Sequence, residues 1–253
     1  MEIQKCKGII LQSRASGEAD TIATIFTGEY GKRTFIFKGL RKSKRRARSA
    51  VEPGTALQLV YYYHENKSIT VAGEFTLLQD ILQVRDNLGK ILNVYFMLEM
   101  VDKTSASGDP AQAIFHLLYS ALTTMKTTTY PLHITLCFTL HLLHTLGILP
   151  DIDRCSFCGR VISSSFRIHI DDFNTICHSC ARANPASNRS NTIPLEVLGF
   201  VNDSFCRKFS DIPHEKYNES DLLHLLFSIS LFVEHYFHTT IKSKSLLFAD
   251  YEI

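Results

Sequence analysis

Four of the seven cysteines form two pairs whose spacing suits a single metal ion. Two residues separate Cys155 from Cys158 and Cys177 from Cys180, and 18 residues lie between the pairs. This spacing lets each turn point two thiolates at one cation, and two facing turns complete a tetrahedron of ~2.3 Å Zn–S bonds. The sequence therefore predicts one structural Zn²⁺ per chain. Because four thiolates leave no coordination position for water, we expect no catalysis by the metal.

Other interpretations of the cysteines and histidines stay open on these grounds alone. The paired cysteines could be free or disulfide-bonded, or could hold iron in a rubredoxin-like site, since iron also accepts four thiolates. The remaining cysteines, Cys6, Cys137 and Cys206, are interpreted as small buried apolar residues. His141 and His144 have no further ligand nearby in the sequence, so we expect core or surface positions for both.

Most of the positive charge lies in the N-terminal part of the chain. Residues 1–50 contain 12 Lys and Arg against 4 Asp and Glu, and the remainder contains 15 against 21. Residues 38–48 include seven cations and no acidic residue. Such a run favours contact with a phosphate backbone, because released counterions give salt-sensitive affinity with little sequence preference. The candidate residues for contact with DNA or RNA are Lys32, Arg33, Lys38, Arg41, Lys42, Lys44, Arg45, Arg46 and Arg48.

A non-functional explanation stays open for the basic run and for the aromatic residues near it. Basic runs are often solvated loops, and aromatic residues at period two are usually core residues. The aromatics that could instead stack on bases are Phe35, Phe37, Tyr61 and Tyr63.

The hydrophobic pattern changes near residue 82 and divides the chain. Before it lie five short runs of β-forming residues, the number expected for an oligonucleotide/oligosaccharide-binding (OB) barrel. After it the apolar spacing is helical over residues 91–101, 113–125, 134–146, 195–209 and 221–237. The predicted class is α+β, with a five-stranded OB-fold DNA-binding domain at 1–82 and a helical bundle at 83–253. A zinc module is expected as an insertion at about 151–183, and residues 181–192 are predicted to be a loop.

Several classes of protein find no support in the sequence. Residues 28–34 have two residues between their glycines where a phosphate-binding loop needs four, so this segment is interpreted as a hairpin turn. No metallohydrolase, serine-hydrolase or paired-carboxylate signature occurs, and we expect no catalytic residues and no enzyme. No export signal is recognised. The apolar segment 132–149 contains three histidines, so we expect a buried helix and no membrane partner.

Taken in order, the motifs resemble the RecO family of bacterial recombination mediators over nearly the whole chain. They are Gly8-Ile9-Ile10-Leu11, Tyr30-Gly31-Lys32, the basic run 38–44, and Gly147-Ile148-Leu149-Pro150-Asp151-Ile152-Asp153-Arg154-Cys155 after a leucine-rich helix. One departure precedes the second cysteine pair. Many relatives have glycines there, whereas this chain has Asp172-Phe173-Asn174-Thr175, which leaves the shape of the second turn in question.

The resemblance implies a non-enzymatic DNA repair protein with an OB fold, a helical domain and an inserted zinc module. It implies binding of single- and double-stranded DNA, annealing of complementary strands and, with RecR, loading of RecA onto DNA coated by single-strand-binding protein. RecA is then an indirect partner. The C-terminal tail of single-strand-binding protein would bind the helical domain, with Arg182, Arg189 and Lys242 as candidate contacts. A bacterial, cytoplasmic and nucleoid-associated location is also implied.

Two competing classes remain. A zinc-ribbon DNA-binding transcription regulator would read base edges with a recognition element in the major groove, yet no helix has a clustered basic face. A nucleic-acid deaminase would need a catalytic Glu and an open zinc position, which a fourth cysteine ligand would fill.

Overall fold

Two compact units make up the chain, Met1–Lys126 and Thr127–Ile253. The computed structural model describes residues 2–43, 48–63, 69–106, 111–169, 172–183 and 190–249. The boundary between these units differs from the predicted domain boundary between residues 82 and 83. The domain boundary stays a prediction. None of the described helices is both long enough and apolar enough to cross a membrane.

Five strands in the first unit form a closed barrel, as predicted. The strands are β1 (Glu2–Ser16), β2 (Asp20–Thr27), β3 (Gly31–Phe37), β4 (Ala56–Tyr63) and β5 (Ile69–Gln79). The order around the barrel is β1-β2-β3-β5-β4, and the long β1 closes it by pairing with both β2 and β4. All of these ladders are antiparallel except the one between β3 and β5. This is the arrangement of an OB fold.

Apolar residues at every second position of these strands fill the barrel. Phe35 and Tyr61 pack edge to face with ring centroids 5.3 Å apart, and Phe37 packs in the same way against Phe75 at 5.4 Å. The period of two that marked the strands in the sequence thus also separates the interior from the exterior. β1 is bent by an irregular register between Ile10 and Gln12, which allows it to serve two neighbouring strands.

Helices complete the first unit. They are α1 (Leu82–Arg85), α2 (Leu88–Thr104) and α3 (Gln112–Met125). The side-chain amide of Gln12 on β1 donates to Asp102 of α2 at 2.8 Å, and the N–H of Ala111 donates to the carbonyl of Gly28 at 2.9 Å. These contacts tie α2 and the start of α3 to the barrel, and they explain why the unit extends to Lys126.

The second unit combines helices with a small sheet. Its elements are α4 (Pro131–Thr145), β6 (Phe166–His169), β7 (Thr175–Cys177), α5 (His178–Ala183), β8 (Ser190–Ile193), α6 (Glu196–Cys206), α7 (Glu219–Tyr236) and α8 (Lys244–Leu247). The sheet has the order β7-β6-β8. Eleven of the fifteen residues of α4 are buried, as predicted for the apolar segment, and α4 packs with α6 and α7. The five predicted helical segments correspond to α2, α3, α4, α6 and α7.

One prediction about this unit is wrong. Residues 181–192 were predicted to form a loop, but the segment begins inside α5 and ends inside β8. β8 is stabilised by its ladder with β6, in which Ser190 lies opposite His169 and Thr192 opposite Arg167. A polar sequence is drawn into the sheet by these backbone hydrogen bonds. Residues 184–189 lie outside the described part of the chain.

Candidate metal centre and nucleic-acid interface

The four paired cysteines lie together in the second unit. Their sulfur atoms are all within 4.8 Å of one another, and a tetrahedral site with ~2.3 Å bonds would place them roughly 3.8 Å apart. Cys158 Sγ and Cys177 Sγ are already 3.9 Å apart. Cys155 is buried, whereas the other three sulfurs lie nearer the surface. The four cysteines could therefore hold a metal ion.

A tight turn positions the first pair. The backbone pairs Arg154 with Val161, and the N–H of Cys155 donates to the carbonyl of Arg160 at 2.9 Å. Gly159 then donates to the carbonyl of Cys155 at 2.8 Å with φ at 70°, a conformation that glycine adopts without strain. This turn, residues 154–161, is called the knuckle below. It points both of its cysteines toward the second pair.

The second pair comes from the end of β7 and the first turn of α5. The preceding turn contains Phe173, which is buried and takes φ of 57° where a glycine would be the usual choice. Asp172 stabilises this turn by accepting hydrogen bonds from the N–H of Asn174 at 3.1 Å and from the amide of Asn174 at 2.5 Å. The departure from the glycine pattern is thus compensated locally, and the second pair still meets the first.

The sulfurs differ in how readily they lose a proton. Burial raises the pKa of Cys155, but N–H groups of Cys177, Cys158 and Phe157 and the Cys158 thiol donate to it and lower its pKa to about 6. Cys180 donates to the neighbouring sulfurs, which raises its pKa to about 12. One sulfur is thus a thiolate and its neighbours are thiols. Binding of one cation would displace the remaining thiol protons and leave four thiolate ligands. All four positions would then be filled by sulfur, so the site is suited to stabilising the fold.

The other cysteines and the α4 histidines are separate from this cluster. Cys6 and Cys137 are buried as predicted, and burial raises the pKa of each to about 12. The prediction for Cys206 is wrong, because it is exposed at the C-terminal end of α6. His141 lies 2.9 Å from the carbonyl of Ser204, and His144 is exposed.

The first residues of the basic run are paired with the turn between β1 and β2. Lys38 Nζ lies 2.7 Å from Asp20, Lys42 Nζ lies 2.9 Å from Glu18, and Arg41 donates to the carbonyl of Gly17 at 3.0 Å. The hydrogen bond from Lys38 lowers the pKa of Asp20. Both lysine side chains are more than half exposed, so these pairs are weak and phosphate groups could replace the carboxylates.

Two cations on β3 have different surroundings. Lys32 donates to the carbonyl of Asp102 on α2 and forms an ion pair with its carboxylate at 3.3 Å, and both side chains are less than one-fifth exposed. Lys32 therefore joins the barrel to α2. The guanidinium of Arg33 lies over the ring of Tyr30 at 4.6 Å.

The rest of the basic run is described only in part. Lys44, Arg45 and Arg46 lie outside the described residues, and for Arg48 only the backbone is described, at the start of a 3₁₀ turn. Their role in DNA binding stays a prediction from the sequence.

The suggestion that barrel aromatics stack on bases is wrong for three of the four. Phe35, Phe37 and Tyr61 have no exposed surface and lie in the barrel core, and the Tyr61 hydroxyl donates to Gln4 at 2.9 Å. The side chain of Tyr63 lies outside the described part of the structure.

The sequence argument missed two cations outside the basic run. Lys5 and Lys7 on β1 line a cleft of about 280 Å³ together with Glu29, Gln58, Gln112, Phe115 and His116. No described residue forms an ion pair or side-chain hydrogen bond with either lysine. The alternation of these lysines around the buried Cys6 was the signal that could have placed them on the exterior.

Comparisons with known proteins cover most of the chain. The family sequence profile described as Recombination protein O N terminal matches residues 1–79, and Recombination protein O C terminal matches residues 85–244. The chain belongs to the recombination protein O (RecO) family. The first match contains the barrel, and the second contains the four cysteines.

The similarity to individual RecO-family proteins extends over most of the length of those proteins. The DNA repair protein RecO of Desulforamulus reducens is 26% identical over 98% of this chain and 94% of its own, and that of Alkaliphilus metalliredigens is 26% identical over 78% and 80%. A solved asparaginyl-tRNA synthetase from Entamoeba histolytica covers 71% of this chain and 40% of its own at 9% identity. Its TM-score of 0.28 is too low to carry any argument.

Proposed function

We propose that this protein is a recombination mediator, which binds single- and double-stranded DNA and anneals complementary strands. With RecR, it would help load RecA onto DNA coated by single-strand-binding protein, whose C-terminal tail it would contact. The observation that carries the proposal is the RecO-family match over both units of a chain whose basic run follows β3 of an OB barrel in the sequence. A bacterial, nucleoid-associated location follows from this role.

Annealing requires the protein to reduce repulsion between two phosphate backbones while leaving base edges free to pair. Exposed cations on the barrel are suited to this task, because contacts to phosphate carry no sequence information. Lys38, Arg41 and Lys42 would exchange their present partners for phosphate oxygens, whereas Lys32 would keep its structural pairing. Arg33, Lys44, Arg45, Arg46 and Arg48 would extend the surface. No step requires a nucleophile or ATP hydrolysis by this chain.

The metal that suits the four-cysteine site is Zn²⁺, bound by Cys155, Cys158, Cys177 and Cys180. It would supply a fixed cross-link between the knuckle and the start of α5. These residues need no other role, because the site offers no free coordination position.

The direct test is to measure the annealing of complementary oligonucleotides by fluorescence, at salt concentrations between about 50 and 200 mM. The proposal expects ATP-independent annealing that weakens steeply with salt and depends little on sequence. Reversal of two cations by Arg45→Glu and Arg46→Glu should weaken DNA binding and reduce the slope of log affinity against log salt by about 2. A strong preference for one duplex sequence would favour a transcription regulator instead.

Two controls separate specific contacts from net charge. The pair Lys208→Glu and Lys216→Glu changes the net charge by the same amount on two exposed side chains of the second unit, and should leave the slope nearly unchanged. Lys32→Gln should lower the stability of the first unit by about 1–3 kcal/mol without changing the slope, because its ammonium group is already paired. Equal effects of all three changes would contradict the assignment of the basic run.

The mediator step has its own measurement. RecA should begin hydrolysing ATP earlier on DNA coated by single-strand-binding protein when this protein and RecR are both present. An unchanged delay would remove the loading role and leave annealing as the function.

A further inference from the structure

The tip of the knuckle presents apolar side chains to solvent. Phe157, between the two cysteines of the first pair, is 59% exposed, and Val161 is 60% exposed. No aromatic ring in the described part of the chain packs against Phe157. Nearby aromatics of the same module, Phe166 and Phe173, are by contrast fully buried. Burial of a Phe side chain stabilises a fold, so the exposed position of Phe157 at the tip forgoes most of this stabilisation.

The knuckle also contains two arginines, which lie on either side of Phe157 in the sequence. Arg154 lies opposite Val161 in the backbone bridge, so their side chains share one face of the knuckle, and Arg160 lies next to Val161. Both arginines are exposed. The guanidinium of Arg154 makes one long hydrogen bond, 3.4 Å to the carbonyl of Gly159. Within the described ranges, neither arginine forms an ion pair, although Asp151 and Asp153 are close in sequence.

The knuckle is also restrained in shape. The two backbone hydrogen bonds within it and a third, from Ser156 N–H to the carbonyl of Thr175 at 2.9 Å, fix the loop on both sides of Phe157. A ligand at the tip would therefore meet a preformed surface, and little conformational entropy would be lost on binding.

An exposed aromatic ring in a short loop that also carries exposed arginines is the chemistry that binds unpaired nucleotides. The ring stacks on a base while the cations contact phosphates, and paired bases are inaccessible because they are stacked within the duplex. We propose that Arg154, Phe157, Arg160 and Val161 form a binding site for single-stranded nucleic acid. This site rests on the proposed function and adds to it a base-stacking contact, separate in sequence from the basic run. Such a contact is lost when a strand becomes paired, so annealing would release the knuckle.

The absence of tryptophan from the sequence allows a direct test. Phe157→Trp would introduce one tryptophan at the tip, and Tyr236→Trp would introduce one at a 53% exposed position on α7 as the matched control. Addition of oligo(dT) to the full-length protein should quench the emission of the first variant and leave that of the second unchanged. An abasic oligonucleotide of the same length should quench neither, because it offers phosphates without bases.

Affinity measurements complete the test. Phe157→Ala should weaken binding of oligo(dT) roughly five- to 150-fold, equivalent to the ~1–3 kcal/mol of one stacked base, with duplex affinity unchanged. The variant Phe157→Tyr keeps an aromatic ring and should bind oligo(dT) with nearly the affinity of wild type. A merely structural role for the apolar side chain would not require this recovery of binding relative to Phe157→Ala. Metal content and circular dichroism of each variant establish that the module is folded.

The outcomes separate this site from the proposed function. If wild type binds both forms of DNA and the tryptophan at the tip is not quenched, the knuckle site is wrong and the mediator role stands. If wild type binds no DNA, both fail. Quenching by anionic phospholipid vesicles or by an acidic peptide, without quenching by oligo(dT), would assign the tip to another class of partner and overturn the proposal.

Discussion

At the scale of single residues, a histidine with a strongly lowered pKa lies outside both candidate sites. His133 on α4 is 2% exposed, and its ring centroid lies 5.1 Å from that of His214 and 5.2 Å from that of Tyr130. Burial, followed by the neighbouring His214 imidazole, lowers the pKa of His133 from 6.5 to about 4. Burial also lowers the pKa of His214. Both imidazoles are therefore neutral in the folded protein near pH 7.

This arrangement predicts that the protein loses stability in mild acid. The unfolded chain binds a proton at His133 below pH 6.5, whereas the folded chain resists protonation until about pH 4. The contribution is complete above pH 6.5 and is lost as the pH falls from 6.5 toward 4, up to about 3 kcal/mol. Urea unfolding across this range should show a smaller decline for His133→Leu than for wild type.

The control for this prediction is His144→Leu, which removes an exposed histidine from the same helix. Its unfolding free energy should follow the pH dependence of wild type. A parallel decline in all three proteins would mean that other groups govern the acid sensitivity.

Residue types and spacing were enough to find the four cysteines, because both ligand turns are local in sequence. They were not enough to find the partners of the basic run. Glu18 and Asp20 lie 18 to 24 residues before the cations that they bind, and only the pairing of β1, β2 and β3 brings them together. The run lacks acidic residues in sequence, yet its first cations have acidic neighbours in space.

At the scale of elements, the barrel depends on close contact between β1 and β2. Gly8 lies opposite Thr27, and a Cβ atom added there would collide with Cγ2 of the fully buried Ile25 and lie 3.3 Å from Cγ2 of Thr27. Only glycine fits here without movement of a core side chain. The glycine at the start of the Gly8-Ile9-Ile10-Leu11 motif thus has a packing role.

Gly8→Ala should lower the unfolding free energy by about 1–3 kcal/mol, because the added methyl group overpacks the barrel. Thermal or urea unfolding followed by circular dichroism would measure it. The matched control is Gly199→Ala in α6, where the added Cβ would only touch the Tyr217 ring at 3.5 Å. This change should stabilise α6 by ~0.5–1 kcal/mol, since alanine replaces glycine within a helix. Equal destabilisation by both changes would refute the packing argument.

Strands and helices with a strong hydrophobic periodicity could be predicted from the sequence. The strand β8, which lacks such a periodicity, could not. The strands of the barrel alternate because one face of each is interior, and the helices of the second unit repeat at three and four because they pack together. β8 carries Ser190, Asn191 and Thr192, residues with no apolar alternation. It exists because β6 offers a free edge, which is a property of the folded unit.

At the scale of the whole molecule, the chain divides by contacts at Lys126 and Thr127. The sequence indicated a boundary at residues 82 and 83 because the hydrophobic period changes there. The contacts of Gln12 with Asp102 and of Gly28 with Ala111 are long-range, and no local pattern reveals that α2 and α3 pack on the barrel.

The metal is expected to stabilise one unit and not the other. If the four cysteines hold the proposed metal ion, Cys158→Ser should eliminate metal binding. It should also lower the stability of the second unit by several kcal/mol, because the ligands are then left without a cross-link. Metal analysis and hydrogen exchange measured by mass spectrometry would test this. Peptides from β6, β7 and α5 should exchange faster, whereas peptides from β1 to β5 should be unaffected.

A matched control is Cys206→Ser, which replaces an exposed cysteine outside the cluster and should retain the metal. Equal loss of protection in both units would show that the units unfold together. Full retention of metal by Cys158→Ser would exclude Cys158 as a ligand.

Closure of the barrel restricts the ways in which this protein can recognise a partner. Because β1 pairs with both β2 and β4 and β3 pairs with β5, each barrel strand has a strand partner on both sides, and none is open along its whole length to a peptide added as a further strand. We therefore expect recognition by the barrel to use mainly its loops and outward side chains. Among the described strands, β7 and β8 each have one edge without any strand partner, and both belong to the sheet beside the four cysteines.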